Sequence, residues 1–530
     1  MDKRDGGNGP FRGEESTSLW GEVPREFSEL LPTSLAGRLL NGKVIPWSGP
    51  WERVLSPLLF QERGEVEVGR YPLLGEREAA EALASSVAAF EGGRGEWPRT
   101  PPRERAERVE HFLRRMREKR ETLARLLSWE IAKPYGDALK EVDRTFAYMD
   151  NTLEEFRRMQ REARFPREGE GIVGRILPTP LGVALCMGPY NYPLYESLTL
   201  VLPALLMGNT VLFKLPRKGL LFYNHLLPAF GELFPPGAVN VLSGESSLLC
   251  EPLLASGQID LLAFIGSSRV ASRLQNLHPR PHRLRTLLGL EAKNVALLLP
   301  GADLKNAAKE CLLGALAFNG QRCAALKILF VPKEGAGTFL SLLEERLAEL
   351  AFGMPWQEDV FLTPLADPGR LSYLTELLED ALSKGAKVIN RGGGEIRGGI
   401  MTPALLSPVD GSMRLYREEQ FGPLVPIVPY ASVEQVWEYF AGSPFGQQAS
   451  LFGEDEGELE RAVSLLSCQV ARINIGCKCQ RGPDRFPFTG RRDSAQGVMS
   501  AQETLKAFSS PLVVALRSSS GVRGILDREL

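Results

Sequence analysis

Histidine is scarce in this 530-residue chain: only His111, His225, His278 and His282 occur, and none stands in an HxxxH or HExxH spacing. Histidine-based hydrolysis and zinc chemistry therefore lack their usual bases and ligands, and no metal is assigned. Neither sign of charge is in excess. Lys+Arg number 63 and Asp+Glu 65, for a formal charge of −2, which supplies no field for gathering nucleic acid or an anionic membrane. Long apolar runs are missing too. The most apolar stretch, 198–213, is interrupted by Pro203, Gly208, Asn209 and Thr210 and falls short of the roughly 20 residues that span a bilayer. The charged, Gly-rich start has no apolar core of the kind a secretory signal needs. Cysteines are few, odd in number and mostly inside apolar runs (Cys186, Cys250, Cys311, Cys323, Cys468, Cys477, Cys479). That is a reducing-compartment pattern, so a cytoplasmic location is expected, with neither membrane nor nucleic acid as partner.

What is present is an ordinary globular composition, 43% hydrophobic and 24% charged, long enough for several packed units. Residues 1–20 read as a flexible leader. Apolar residues at three- and four-residue spacing predict amphipathic helices over 76–90, 103–129 and 137–159. From Ile172 onward, short β-rich runs (182–187, 210–215, 239–242, 261–265) alternate with helical stretches, which predicts a parallel sheet with helices on both faces. A second such block runs from Val295 to Ile475, with helices at 304–317 and 338–351, and the two join near 289–293.

Four segments carry chemistry. Gly188-Pro189-Tyr190-Asn191-Tyr192-Pro193 follows the strand at 182–187, and the carboxyl end of a parallel strand is where α/β proteins place ligand groups. The Asn191 amide can donate to an oxyanion there, or simply close an Asx turn. The strand at 210–215 ends in Lys214, Arg217 and Lys218; these form a surface rim, or Lys214 reaches a ribose and Arg217 a phosphate. Phe264-Ile265-Gly266-Ser267-Ser268 precedes a helical run. Its small residues would let a pyrophosphate approach the helix amino terminus, and an ordinary strand-to-helix turn predicts the same residues. Asn319-Gly320-Gln321-Arg322-Cys323 sets a thiol beside a cation, which favours the nucleophilic thiolate and marks Cys323 out from packing thiols such as Cys186 and Cys311. Cys477-Lys478-Cys479 lacks a second ligand pair and reads as two loop thiols.

Taken in order, Gly188 to Pro193, Phe213-Lys214, Phe264 to Ser267, Gly320 to Cys323 and Glu419-Gln420-Phe421-Gly422-Pro423-Leu424 resemble the aldehyde dehydrogenase superfamily, over residues 35–517. Within it, Asn319 to Cys323 and Gln480 to Phe488 look like the non-phosphorylating, NADP-dependent glyceraldehyde-3-phosphate dehydrogenases. The resemblance implies an α/β fold of two doubly wound domains. The cofactor-binding domain would take 21–165 and 182–290, the catalytic domain 291–495, and a small β oligomerisation arm 166–181 and 505–517. It implies a homodimer or homotetramer, NADP as cofactor with NAD the alternative, and a phosphorylated aldehyde as substrate.

The resemblance also implies roles. Cys323 attacks the aldehyde, and Asn191 with the Cys323 N–H holds the oxyanion. Lys214 and Glu419 bind ribose hydroxyls, Gly188, Gly266, Ser267 and Phe421 line the cofactor cleft, and Arg217 meets the 2′-phosphate. Arg144, Tyr192, Arg322 and Arg481 hold the substrate phosphate. One departure stands out: where relatives read Glu-Leu-Gly-Gly-Lys and use the Glu as general base, this chain reads Gly289-Leu290-Glu291-Ala292-Lys293. On a continuing strand Glu291 would point the same way as residue 289 but lie roughly 6.5 Å further on. Either Glu291 serves as the base, or water is activated otherwise, or the acyl group leaves to coenzyme A or phosphate; as a structural residue Glu291 would be an ion-pair partner. The expected reaction is oxidation of glyceraldehyde 3-phosphate to 3-phosphoglycerate. The alternatives are another small aldehyde, acyl transfer, and a non-catalytic binding protein on the same fold.

Overall fold

The computed structural model describes residues 22–58 and 65–527; the leader expected at 1–20 lies outside them. Two large sheets organise the chain. In the first, five parallel strands run in the order Val239–Leu242, Thr210–Lys214, Val183–Met187, Leu261–Ile265 and Arg285–Gly289. Antiparallel edges are added by Gly37–Leu40 with Lys43–Pro46 on one side and Ala495–Gln496 on the other. The second sheet has six parallel strands, Ala404–Ser407, Leu424–Tyr430, Leu326–Pro332, Asn294–Leu298, Gln448–Phe452 and Arg472–Ile475, and one antiparallel edge, Lys387–Val388.

Both sheets are buried on both faces, which is why their strands read as continuous apolar runs rather than alternating ones. In Val183–Met187, Ala184 and Cys186 pack into one core while Val183, Leu185 and Met187 pack into another. Val295 and Leu297 likewise face the core opposite to that of Ala296 and Leu298. Among the described residues no helix is long and apolar enough to cross a membrane.

The helix expected over 103–129 is two, Pro102–Arg117 and Arg120–Ile131, whereas Tyr135–Glu162 is a single helix of 28 residues. The break at Glu118-Lys119 carries neither Gly nor Pro, and apolar spacing continues across it from Met116 to Leu123, both fully buried. The turn is thus set by what the two helices pack against. A three-stranded sheet stands apart: Ser509–Arg517 pairs along its whole length with Ile172–Pro180, which also pairs with Arg167–Gly169.

Connectivity locates the site. The chain runs outward from Val183–Met187 through Thr210–Lys214 to Val239–Leu242, then crosses back to lay Leu261–Ile265 on the other flank of Val183–Met187. Strand order therefore reverses at Val183–Met187, and the crevice outside the carboxyl ends at such a reversal is where open α/β sheets bind ligands. Gly188 to Asn191 and Gly266-Ser267 follow those two ends.

Candidate active site

The helix Leu304–Leu316 ends in a turn in which Phe318, Asn319 and Gly320 have φ of 52, 54 and 72°. Phe318 in the left-handed region is strained, a cost of order 1 kcal/mol or more that persists only where the surroundings enforce it. The Asn319 amide fixes the turn by donating to the Thr363 carbonyl oxygen at 3.0 Å and accepting from the Thr363 N–H at 3.3 Å. At Gly320 a Cβ would lie 2.6 Å from the Gly422 carbonyl oxygen, so the turn requires glycine there. The turn delivers Gln321, Arg322 and Cys323 to the loop Gly188 to Pro193, where Asn191 Nδ2 donates to the Gln321 carbonyl oxygen at 2.7 Å.

That loop is held by residues the motif analysis did not single out. The buried pair Lys133 and Glu141 clamps it: Lys133 Nζ donates to the Asn191 carbonyl oxygen at 2.7 Å, and Glu141 Oε1 accepts the N–H groups of Leu194 and Tyr195, 3.1 Å each. The Tyr223 hydroxyl donates to the Pro193 carbonyl oxygen at 2.8 Å. At Gly188 an added Cβ would lie 1.9 Å from Ser197 Oγ and under 3 Å from its Cα, so this glycine lets the loop lie against the following helix.

Among the described residues, two donors stand free beside the thiol residue. The Asn191 amide, on a residue only 6% exposed, uses one of its two N–H groups on Gln321. The backbone N–H of Cys323 has no hydrogen-bond partner among the described residues. Cys323 itself is partly exposed. Its thiol is pushed up by burial and by the Glu196 carboxylate, with Arg481 and Lys327 opposing. Burial and the Glu196 carboxylate thus act against the acidifying influence expected of Arg322, and the cations that act on the sulfur are Arg481 and Lys327.

Along the crevice, Lys214 is 3% exposed and its ammonium makes no hydrogen bond among the described residues; burial lowers its pKa, with Cys250 and Glu245 opposing. Arg217 projects at the rim, 3.4 Å from Glu245. Glu419 Oε1 accepts from Lys327 Nζ at 2.7 Å and from the Ala292 N–H at 3.2 Å, which leaves Oε2 for another donor. Phe421, with φ of 46°, sets its ring 4.7 Å from Lys327 Nζ and 6.2 Å from the Tyr190 ring. Gly266 is tied by its N–H to the Gly289 carbonyl oxygen at 3.0 Å, and Ser267 caps the helix Ser268–Leu277. Glu291 departs from its expected geometry: the strand stops at Gly289, so alternation along it does not apply, and Glu291 Oε2 accepts the Ser268 N–H at 2.7 Å.

The four candidate phosphate ligands form two groups. Arg144 and Arg481 both lie against the Tyr195 ring, at 5.1 and 4.8 Å. Both are already paired: Arg144 Nη2 donates to Asp484 Oδ1 at 2.9 Å, and Arg481 Nη1 to Glu196 Oε2. Arg481 Nη2 is buried without a partner among the described residues. Tyr192 and Arg322 sit toward the thiol. The Tyr192 hydroxyl is pushed up to about 12 by burial, with Arg322 opposing, and Lys133 Nζ is 3.7 Å from the Tyr192 ring centre. Arg322 has no ion-pair partner among the described residues. Glu196 and Asp484 were not picked out from sequence. Cys479 is buried against Ser450 and Asn474, and among the described residues no His/Cys/Asp/Glu cluster could hold a metal ion.

Comparison with known proteins shows what the chain is similar to. The model of the aldehyde dehydrogenase family matches residues 60–514. The chain is 31% identical over 450 residues to an NADP-dependent glyceraldehyde-3-phosphate dehydrogenase of Streptococcus equinus, covering 84% of this chain and 92% of the relative. It is 28% identical over 437 residues to a 2,5-dioxopentanoate dehydrogenase of Saccharolobus solfataricus, covering 79% and 86%. Among solved structures, the NADP-dependent glyceraldehyde-3-phosphate dehydrogenase of Bacillus halodurans complexed with NADP superposes with a TM-score of 0.82 at 28% identity, covering 91% of this chain and 99% of that one.

Proposed function

The chain belongs to the aldehyde dehydrogenase family, and from that premise we propose that it is an NADP-dependent enzyme that oxidises a small anionic aldehyde to its acid at Cys323. The observation that carries this reading is the pair of free donors, the Cys323 N–H and the second Asn191 N–H, beside a partly exposed thiol. The Cys323 sulfur attacks the carbonyl carbon as its proton passes to solvent water, and the two donors hold the oxyanion of the thiohemiacetal. Bound NADP+ supplies the hydride acceptor. The acyl group is left as a thioester on Cys323, which water hydrolyses to release the acid and restore the thiol.

The crevice fits a dinucleotide. The Lys214 ammonium, buried and without a hydrogen-bond partner among the described residues, is suited to ribose hydroxyls, and Glu419 Oε2 adds an acceptor. Arg217, loosely held by Glu245, suits a 2′-phosphate, with NAD the alternative acceptor where that contact is not needed. Gly188, Gly266, Ser267 and Phe421 form walls. In this reading the first sheet, with the segments 21–165 and 182–290, is the cofactor domain, and 291–495 the catalytic domain.

Glyceraldehyde 3-phosphate is the first substrate to test, because relatives such as the Streptococcus equinus dehydrogenase are named for it and Arg144, Tyr192, Arg322 and Arg481 supply donors suited to its phosphate. A second reading is favoured by one observation: Asp484 and Glu196 already neutralise Arg144 and Arg481. An aldehyde with a single negative charge, such as the dioxopentanoate of the archaeal relative, then needs only Arg322 and the spare Arg481 Nη2. Both readings are tested by recording the NADPH absorbance band with NADP+ or NAD+ against glyceraldehyde 3-phosphate, 2,5-dioxopentanoate and uncharged glyceraldehyde. No reduced cofactor with any aldehyde sinks the proposal. Gly289 at the usual base position also motivates adding coenzyme A or phosphate; turnover that demands either would assign acyl transfer instead of hydrolysis.

A further inference from the structure

The helix Ser268–Leu277 opens at the point where the first sheet reverses its strand order. Its first three N–H groups have no intrahelical partner, and together with the helix dipole they form an anion site. In this chain two of the three are taken. The Val270 N–H donates to Ser267 Oγ at 3.4 Å, and the Ser268 N–H donates to Glu291 Oε2 at 2.7 Å. Only the Arg269 N–H is left among the described residues. The crevice is thus asymmetric. At its outer end Lys214 is unpartnered and Arg217 barely paired, whereas at the helix end, where a dinucleotide's pyrophosphate would seat, an internal carboxylate already occupies the donor.

We propose that Glu291 is an internal latch on the cofactor site: its carboxylate holds the pyrophosphate position and must leave Ser268 for the dinucleotide to seat fully. The inference rests on the cofactor assignment made above and goes beyond it, because it gives the residue that departs from the family pattern a role in binding rather than in deacylation. One backbone N–H cannot serve a carboxylate and a phosphate oxygen together, and two anions brought to one helix terminus repel each other. Glu291 therefore weakens dinucleotide binding and leaves ligands without a pyrophosphate unaffected.

The test is calorimetric binding of NADP+ and of adenosine 2′-monophosphate to the full chain and to its Glu291→Gly and Glu291→Gln variants. The nucleoside phosphate carries the adenosine end and no pyrophosphate, so it reports an intact fold and an intact outer site. The latch predicts that Glu291→Gly binds NADP+ roughly tenfold tighter than the parent and Glu291→Gln by a smaller factor, with adenosine 2′-monophosphate unchanged within about twofold. Equal or weaker NADP+ binding by both variants, with the control ligand unchanged, overturns the latch. If neither ligand binds any of the three proteins, the cofactor assignment itself falls, and the latch with it.

Discussion

Glu196 and Arg481, 285 residues apart in sequence, form an ion pair buried from solvent, and both charges act on the Cys323 sulfur, the carboxylate raising its pKa and the guanidinium lowering it. The pair makes the pocket less cationic than its arginines suggest. Glu196→Gln removes one partner and leaves a buried guanidinium uncompensated, a change that costs about 3–5 kcal/mol in comparable sites. The variant should therefore melt several degrees lower than the parent. It should also turn over glyceraldehyde 3-phosphate better relative to uncharged glyceraldehyde, by about tenfold in the ratio of kcat/KM, because the freed cation can meet the phosphate. A lower melting temperature with an unchanged substrate ratio would place the pair outside the substrate pocket.

The upward push on the Cys323 thiol makes its own prediction. Burial raises its pKa, so alkylation by iodoacetamide, followed by peptide mass mapping, should quicken with pH through 9 without levelling off. At neutral pH the exposed Cys468 should label first. Cys323→Ser should lose NADPH formation by on the order of a thousandfold or more while keeping NADP+ binding. Fast, pH-independent labelling at Cys323 below pH 7 would mean that the thiolate is already formed.

Much of the frame was legible because it rests on local pattern. Strands at 239–242 and 261–265 and the helix at 76–90 fall where apolar runs and spacing place them, and the strand at 509–517 lies within the arm that the resemblance implies. What the sequence hid depends on pairing across the fold. Asp484 matters because it meets Arg144 from 340 residues away, and Glu141 because it caps the helix that follows the Asn191 loop. Neither spacing nor composition marks such residues. The environment of Cys323 was hidden for a related reason: a neighbouring cation is visible in a sequence, but the desolvation that acts against it is not. Glu291 was legible as a departure, and only the end of the strand at Gly289 and the Ser268 contact show where its carboxylate goes.

A buried carboxyl remote from the motifs should make stability fall with rising pH. Glu130 accepts the N–H groups of Leu220 and Leu221 at 2.9 and 2.8 Å, and burial pushes its pKa up to about 7, against 4.5 when unfolded. The folded chain keeps this proton when the unfolded chain has lost it. The contribution is therefore complete below pH 4.5, shrinks as pH rises toward 7 and levels off above that, for a loss of about 3 kcal/mol at most. Urea unfolding across this window should show the decline in the parent and a flatter profile in Glu130→Gln, which keeps a neutral acceptor. Equal slopes in both would show that Glu130 is ionised throughout.

The apolar outer arm predicts assembly. Val513 and Ile176 face each other across the antiparallel pair formed by Ser509–Arg517 and Ile172–Pro180, and they are 60% and 39% exposed. Leu512 and Ile172 are exposed nearby, and among the described residues Ser509–Arg517 is an edge strand with unpaired backbone groups along one side. A second copy of the chain covers such a surface most economically, since the symmetric contact uses the same arm twice. Light scattering after size exclusion should give a mass that is a multiple of 58.4 kDa, and Ile176→Lys with Val513→Lys should reduce it. A parent protein that runs at 58.4 kDa would leave this arm without its expected partner, and a variant with unchanged multiple mass would move the interface elsewhere on the chain.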